Sequence, residues 1–462
     1  MDFLIVLSAL VLLMVVAYRG YSVILFAPIA AMLAVLLTSP HAVAPMFTGV
    51  FMDKMVGFVK LYFPVFLLGA VFGKVIELSG FSKSIATAII NLVGRERAIL
   101  CIVLMCAVLT YGGVSLFVVV FAVYPFAAEL FRQGNIPKRL IPGVIALGAF
   151  SFTMDALPGT PQIQNIIPTT FFGTTTWAAP VLGTLGGLII LIAGVGYLAW
   201  RVRSAERAGE GYGEGHINEP EPISDEALAS PWLAVLPLIV VGVANKLLTQ
   251  AIPLWYEPKT EVQLAMAKPV VTDVAAVTAI WAVQGALILG ILAVLALAFR
   301  PVVTKFAEGT KGAVSGALLA SMNTASEYGF GAVIAALPGF LVIADSLKAI
   351  PNPLVNEAVT VTTLAGITGS ASGGLSIALA AMADQFKAAA DASGIPLEVM
   401  HRVAAMASGG MDTLPHNGAV ITLLAVTGLT HRQSYPDIFA VTLIKTATVF
   451  AVIAIYYATG LV

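Results

Sequence analysis

Long apolar stretches alternate with short polar turns over the whole chain. They occupy residues 3–17, 22–38, 61–80, 179–200, 232–250, 276–299, 318–345 and 436–459. A helix needs about 20 apolar residues to cross the hydrocarbon core of a bilayer. Together with two interrupted stretches, this pattern predicts an all-α polytopic membrane protein with about ten crossings.

Other stretches are too polar to be plain spans. Charged side chains mix with apolar ones at residues 40–58 and again after residue 299, a composition typical of helices that lie along the membrane interface. A basic loop that contains Lys83 is expected after the third span. Residues 201–231 are rich in Glu, Gly and Pro, so we expect a solvent-exposed linker between the two halves of the chain.

Two apolar segments, residues 139–177 and 397–428, contain an interruption that a simple span would not have. Residues 153–165 hold an acid, two prolines, a glycine and three amide side chains. Irregular backbone at membrane depth is tolerated only where it is buried in protein or lines a wet cavity, and an acid there indicates a functional site. The Met-Asp-x-Leu-Pro core of residues 154–158 returns at residues 411–415. We therefore expect two broken helices that face each other.

Two further segments are predicted to be re-entrant hairpins. Residues 98–131 form two apolar arms around a tip of small residues at 110–115, and residues 354–390 do the same around 368–374. The first arm of the first hairpin is short for a crossing, and basic residues flank both ends of that hairpin. A hairpin that enters and leaves on one side explains both facts, and two ordinary spans remain the alternative.

The same order of elements occurs twice. Phe72 matches Phe330 (330 − 72 = 258), and the Gly-Gly pair at 112–113 matches the pair at 373–374 (373 − 112 = 261). Three spans lie between the copies, and an odd number inverts the second copy, which is typical of secondary transporters. The expected organisation is scaffold helices at 1–60, a first repeat at 61–177, connecting spans with the linker at 178–317, a second repeat at 318–430 and a terminal span at 431–462.

The basic residues indicate an orientation in the membrane. With Arg19 on the cytoplasmic side, the predicted path also places there the basic clusters near residues 95–97, 132–139, 201–207, 300–311 and 431–432. Both termini are then expected outside, on the periplasmic side of a bacterial inner membrane.

Composition narrows the classes of protein that remain. Only 11% of the residues are charged, whereas a soluble domain has about 25%. The net charge of −1 and the lack of a basic run argue against binding to nucleic acid. Cys101 and Cys106 lie in one apolar segment and are expected to pack rather than to bind a metal. No cofactor is expected.

Polar side chains and glycines at the hairpin tips and the breaks are the candidate substrate ligands. They are Thr110, Gly112, Gly113, Ser115, Thr160, Gln162, Asn165, Ser370, Ser372, Gly373, Gly374, His416 and Asn417. Half-helix N-termini suit a carboxylate, and hydroxyls with amides suit the hydroxyl groups of a hydroxy acid. No Arg or Lys falls within these motifs, so helix dipoles and neutral donors are expected to hold the anion.

Asp155, Asp412 and Glu327 are the candidate proton-coupling residues, because a buried carboxylate can carry a proton together with the substrate. Capping of the half-helix that follows is an alternative role for the two aspartates. Glu327 has no counterpart in the first repeat, which would suit a single proton site, and a glutamate that faces the surface or a cavity is the alternative.

Two motifs carry a resemblance to a known family. Tyr-Gly-Gly-Val-Ser-Leu-Phe at residues 111–117 and Met-Asp-Ala-Leu-Pro-Gly-Thr-Pro-Gln-Ile-Gln-Asn at residues 154–165 resemble the gluconate permease (GntP) family of organic-anion/proton symporters, and the likeness runs over nearly the whole chain. Members that take D-3-hydroxybutyrate look most similar. The hairpins and breaks also resemble the wider ion-transporter superfamily.

The resemblance implies proton-driven uptake of a small hydroxy-carboxylate, a homodimer, and a transport domain that moves like an elevator against a scaffold. The hairpin tips lack the Ser-Asn-Thr sequence of the sodium-coupled branch of the superfamily. A sodium-coupled carboxylate symporter is therefore the alternative rather than the first expectation.

Two other classes of protein compete with a transporter. An intramembrane aspartyl protease needs two acids that share a proton, and Asp155 and Asp412 recur in similar contexts. A protease has no need of an inverted repeat with hairpins, however, and the chain lacks a Gly-x-Gly-Asp phrase. A channel would also permit broken helices. We expect a transporter and not an enzyme.

Overall fold

The computed structural model describes residues 2–19, 21–220, 229–263, 265, 268–340, 342, 350–415 and 417–462. The helices are α1 (Asp2–Tyr18), α2 (Val23–Thr38), α3 (Pro40–Leu78), α4 (Phe81–Val93), α5 (Ala98–Tyr111), α6 (Leu116–Gln133), α7 (Ile141–Ala149), α8 (Phe152–Asp155), α9 (Ile163–Phe172), α10 (Pro180–Arg207), α11 (Pro231–Trp255), α12 (Val274–Leu297), α13 (Phe299–Ala335), α14 (Pro353–Thr368), α15 (Ala371–Ala392), α16 (Leu397–Gly409), α17 (Gly418–Thr427) and α18 (His431–Thr459). Within those ranges the one sheet is a hairpin of β1 (Lys259–Val262) and β2 (Val270–Asp273), which the sequence analysis did not foresee.

The two predicted interfacial stretches are not separate helices. α3 runs for 39 residues and α13 for 37, so each joins an interfacial stretch to the span after it. Charged side chains do not end a helix by themselves. α3 ends only before Gly80, whose φ of 76° no longer fits a right-handed helix. The two long helices pack along each other.

The predicted basic loop after the third span is also a helix. α4 buries Phe81, Ile85 and Ala86 on one face and exposes Lys83. Apolar residues at this spacing indicate an amphipathic helix. The sequence analysis missed the helix because its polar face interrupts the apolar run.

Both predicted hairpins are helical hairpins. α5 and α6 join through residues 112–115, and α14 and α15 join through residues 369–370. α5 has 14 residues, which at about 1.5 Å per residue is shorter than the roughly 30 Å of a hydrocarbon core. Whether each hairpin enters and leaves a membrane on one side stays a prediction. Cys101 and Cys106 are buried in α5 as free thiols, in agreement with a packing role.

Five of the described helices are long and apolar enough to cross a membrane. They are Pro40–Leu78, Pro180–Arg207, Pro231–Trp255, Val274–Leu297 and His431–Thr459. Shorter apolar helices at Asp2–Leu13 and Val23–Thr38 accompany them. The predicted total of about ten crossings includes such shorter and interrupted helices and stays a prediction.

The predicted linker at residues 201–231 begins later than expected, because α10 continues to Arg207. Residues 208–220 are mostly exposed to solvent, as predicted, but they also contact the helices at several points. Tyr124 donates to the carbonyl of Asn218 at 2.7 Å, and Asn218 donates to that of Ala425 at 2.9 Å. Lys138, which is buried, pairs with Glu219 at 2.7 Å. These contacts attach the polar stretch to the first hairpin and to α17.

Carboxylates of this stretch keep their charge through the same contacts. Partial burial opposes the ionisation of Glu219, but hydrogen bonds from Lys138 and Tyr212 outweigh it and hold the pKa of Glu219 below its usual value. A hydrogen bond from Arg139 likewise lowers the pKa of Glu210. A lowered pKa means that the attachment is at full strength at neutral pH and is lost as the pH falls through the lowered values.

Replacing Gly374 by alanine is expected to disrupt the second hairpin. A Cβ there would overlap the backbone of Ala365 on the facing arm, and backbone cannot swing aside as a side-chain end can. We expect the free energy of unfolding to fall by more than about 3 kcal/mol, beyond the usual cost of overpacking a core. Thermal unfolding in detergent measures it.

Gly366→Ala in the same hairpin is the matched control, because its Cβ would meet nothing closer than Sδ of Met411 at 3.4 Å. Equal stability of the two variants would contradict the close approach of the arms.

Candidate functional site

Both predicted breaks are present. In the first, α7 ends, the single turn of α8 follows, and the backbone is non-helical until α9. In the second, α16 gives way to a 3₁₀ turn at Gly410–Thr413 and to extended backbone before α17. Pro158, Pro161 and Pro415 lie within the loops, where a missing backbone N–H does not cost a helical hydrogen bond.

The two breaks lie against each other, in agreement with the repeated motif. Gln164 in the first turn of α9 donates through Nε2 to Oδ2 of Asp412 at 2.7 Å. A Cβ on Gly409, at the end of α16, would overlap the carboxylate of Asp155. α9 also packs against α15 and α16.

Side chains from neighbouring helices satisfy the carbonyls that the first break frees. Tyr111, at the end of α5, donates to the carbonyl of Pro158 at 2.8 Å. Asn245 of α11 donates to the carbonyl of Gly159 at 3.0 Å. A carbonyl without a partner would be costly here, because membrane depth offers no water to replace it.

Two predicted substrate ligands, Thr160 and Asn165, also hold the first break. Asn165 donates to the carbonyls of Thr160 and Thr176, both at 2.9 Å. The Thr160 hydroxyl donates to the carbonyl of Thr153 at 2.8 Å. Both side chains are fully buried, so in this conformation they support the loop rather than face a ligand.

Arg402 of α16 ties the second copy to the first break. Its fully buried guanidinium donates to the carbonyl of Asp155 at 2.6 Å, to that of Ala178 at 2.7 Å and to Oδ1 of Asn165 at 2.9 Å. The planar fork of arginine suits several fixed acceptors at once. His401 adds a hydrogen bond from Nε2 to the same Asn165 oxygen at 3.1 Å.

A buried ion pair lies at the first break. Nζ of Lys445, from α18, contacts Oδ2 of Asp155, and both side chains are fully buried. The motifs themselves contain no basic residue, but Lys445 and Arg402 approach them in space, and the sequence analysis missed both. The signal was available, since a charge inside an apolar segment marks a functional candidate.

Asp412 has a different environment. Oδ1 accepts from the backbone N of Ala371, the first residue of α15, at 2.9 Å and from Nδ2 of Asn417 at 3.2 Å. Oδ2 accepts from Gln164. Among the described residues, Asp412 makes hydrogen bonds to neutral donors and forms no ion pair.

The capping alternative for the two aspartates is wrong. The residues at the N-caps of α9 and α17 are Gln162 and Asn417, and Asn417 accepts from the backbone N of Ala419 at 2.7 Å. Asp412 does hold a helix N-terminus, but it is that of α15 in the second hairpin rather than that of its own half-helix.

Glu327 of α13 lies against the tip of the second hairpin. A Cβ on Gly373 would overlap its carboxylate. Its Oε2 is buried and has no hydrogen-bond partner within the described part of the chain. Ser372 at the same tip lies 3.3 Å from the hydroxyl of Thr324. Glu327, Ser372 and Gly373 thus lie together with Ser370, so that four predicted residues of the second copy share one place.

The tip of the first hairpin contacts the loop of the first break, just before α9. Nε2 of Gln162 donates to the carbonyl of Thr110 at 2.7 Å. The Thr110 hydroxyl is buried and lacks a partner among the described residues, and Ser115 begins α6 without a side-chain cap bond. Gln162 and Gln164 are two residues apart, so one short stretch contacts both the first tip and Asp412.

The remaining predicted ligands are three glycines in closely packed or turned backbone, and His416. A Cβ on Gly112 would overlap Leu238, and Gly113 has a φ of 99°. Gly374 lies between the arms of its hairpin. His416 lies outside the described residues. Pro415, His431 and Arg432 line a cleft of about 590 Å³ that opens beside the second break.

A solved structure shares the fold of this chain. The solved structure of the YdaH transporter from Alcanivorax borkumensis shares the fold, with a TM-score of 0.50 over 88% of each chain and 13% identity. No family model matches the chain. The described fold is therefore similar to that of a solved transporter.

The family follows from a much closer relative. "Uncharacterized transporter YxjC" of Bacillus subtilis (strain 168) is 60% identical over 472 residues, which cover the whole of both chains. The chain belongs to the same transporter family as YxjC.

The prediction of a transporter rather than an enzyme is therefore confirmed. The geometry also disfavours a protease, because Asp155 pairs with Lys445 and Asp412 bonds to Gln164, and neither bonds to the other acid.

Arg402→Lys tests the tie between the copies. A lysine keeps the charge but cannot reach the acceptors of Asp155, Ala178 and Asn165 together. His401 still serves the Asn165 oxygen, so up to two buried carbonyls lose their partner, and at roughly 1–3 kcal/mol each this should lower the free energy of unfolding by about 3 kcal/mol. Thermal unfolding in detergent measures the loss, with the exposed Arg432→Lys as control. Identical stabilities would show that the fork is dispensable.

Proposed function

We propose that the chain is a secondary active transporter that takes up a small hydroxy-carboxylate, of the gluconate or 3-hydroxybutyrate type, together with protons. The observation that supports this most is the second break. Asp412 and Glu327 meet there at the tip of a hairpin without a paired cation among the described residues. An ionised carboxylate buried without a cation is costly, so a group of this kind usually holds a proton.

Glu327 is the proposed proton carrier, with Asp412 as its partner. Binding of a proton to Glu327 would remove one of two neighbouring negative charges next to an incoming anion. The Glu327 carboxyl lies directly against Gly373 at the hairpin tip, so a change in its protonation state would affect the residues proposed to hold the substrate. Asp155 stays a coupling candidate, but its charge is already balanced by Lys445.

The proposed substrate ligands are polar groups and glycines at the two hairpin tips. They are the hydroxyls of Thr110, Ser115, Ser370 and Ser372 and the amide of Gln162, with Gly112, Gly113, Gly373 and Gly374 shaping the surface. The helices α6 and α15 begin at these tips, and their N-termini favour a carboxylate. Thr160, Asn165 and Asn417 act by positioning the loops, and His416 remains a proposed ligand.

The proposed moving body contains both repeats, residues 61–177 and 318–430. Arg402–Asp155 and Gln164–Asp412 contacts fasten the two copies together, which supports their movement as one unit against residues 1–60 and 178–317. The terminal span at 431–462 pairs with the first break through Lys445 and would move with that unit. A homodimer in a bacterial inner membrane, with both termini outside, completes the proposal.

Uptake into proteoliposomes tests substrate and coupling together. Gluconate, 3-hydroxybutyrate and lactate are offered under an inward pH gradient, and separately under an inward sodium gradient. We expect accumulation of at least one hydroxy acid with the pH gradient alone. Accumulation with the sodium gradient alone would replace the proton proposal by the sodium-coupled alternative. A downhill flux that no gradient can drive uphill would indicate a channel.

Glu327→Gln separates coupling from binding. We expect it to abolish accumulation driven by a pH gradient but to retain exchange of labelled for unlabelled substrate, because exchange needs no net proton movement. The exposed Glu398→Gln serves as the matched control. Uptake that follows the pH gradient in Glu327→Gln would remove this residue from the coupling mechanism. Asp155→Asn and Asp412→Asn are both expected to lose driven uptake.

A further inference from the structure

The two repeat-related aspartates are compensated in different ways. Asp412 bonds to an amide nitrogen of the backbone and to two side-chain amides. Asp155 instead contacts the ammonium of Lys445. Among the described residues, Lys445 and Arg402 are the basic side chains that contact Asp155. Arg402 is directed at the Asp155 backbone carbonyl rather than at its carboxylate.

The surroundings of Lys445 form a built site. Both side chains of the pair are fully buried. The neighbouring position is a glycine, and any side chain at Gly409 would overlap both the Asp155 carboxylate and the Lys445 ammonium. Oδ1 of Asp155 is buried and has no hydrogen-bond partner within the described chain. A carboxylate beside unwound backbone is the kind of place where broken-helix transporters hold a coupling cation.

We propose that the ammonium of Lys445 is a tethered cation that fills a monovalent-cation site at the first break. This break then needs no sodium ion, and any exchangeable cation is confined to the second break. The statement about coupling rests on the proposed symport, whereas the occupation of the site by the ammonium does not. A tether of this kind balances Asp155 at all times and does not leave with the substrate.

The test removes the tether and asks whether a free cation replaces it. Lys445→Met leaves Asp155 without its partner, while Asp155→Asn/Lys445→Met removes both charges. Thermal unfolding in detergent at alkaline pH is measured in sodium, lithium, potassium and choline chloride at equal ionic strength. Lys387→Met, which breaks the exposed pair of Lys387 with Asp384, is the matched control.

We expect Lys445→Met to be less stable than the double variant in choline and to gain several degrees in Tm as sodium or lithium is added. Wild type, the double variant and Lys387→Met should show no such difference between cations. A purely structural lysine would lower Tm without creating a dependence on the cation.

The proposal is overturned when Lys445→Met shows the same Tm in all four salts. It is also overturned when this variant, or the double variant, folds in none of the four salts. Under the proposal, balancing or removing the charge of Asp155 is enough for folding. Failure of the proposed function gives a different pattern, in which no hydroxy acid is taken up although Lys445→Met still responds to sodium.

Discussion

Irregular backbone inside an apolar environment must find its hydrogen bonds within the protein, and this constraint organises the molecule. At the first break the freed carbonyls are met by Tyr111, Asn245, Asn165 and Arg402, which come from four different helices. The break therefore cannot exist without the elements around it. The hairpin, the connecting helices and the second copy are held together because each contributes a donor to the same loop.

The two copies share a layout but not a charge distribution. The first break contains a permanent ion pair, with Arg402 bound to its backbone. The second contains two acids and neutral donors. A symmetric pair of sites would bind two equivalent ions, whereas this arrangement concentrates the uncompensated negative charge on one side. The difference supports a division of roles, in which the charge at the first break is permanently balanced and the charge at the second break is balanced by an exchangeable cation.

The repeated Met-Asp-x-Leu-Pro motif was enough to predict both breaks and their contact, because prolines and a buried acid leave few other options. The hairpins followed from small residues between apolar arms. Lys445 and Arg402 were not predicted. A charge inside an apolar segment marks each as a functional candidate, but the pattern does not identify a partner that lies 290 or 247 positions away. A related reason explains the other errors. Polar residues were interpreted as helix ends or exposed loops, so the continuity of α3 and α13, the helix α4 and the contacts of residues 208–220 were not predicted.

Asp155 and Lys445 are separated by 290 positions in the chain. During synthesis the aspartate is made long before the residue that neutralises it, and every element between them must be in place before the two can meet. The carboxylate of Asp155 consequently lacks its paired cation until the helix that contains Lys445 docks. Docking of the helix that contains Lys445 is therefore needed to complete the buried ion pair.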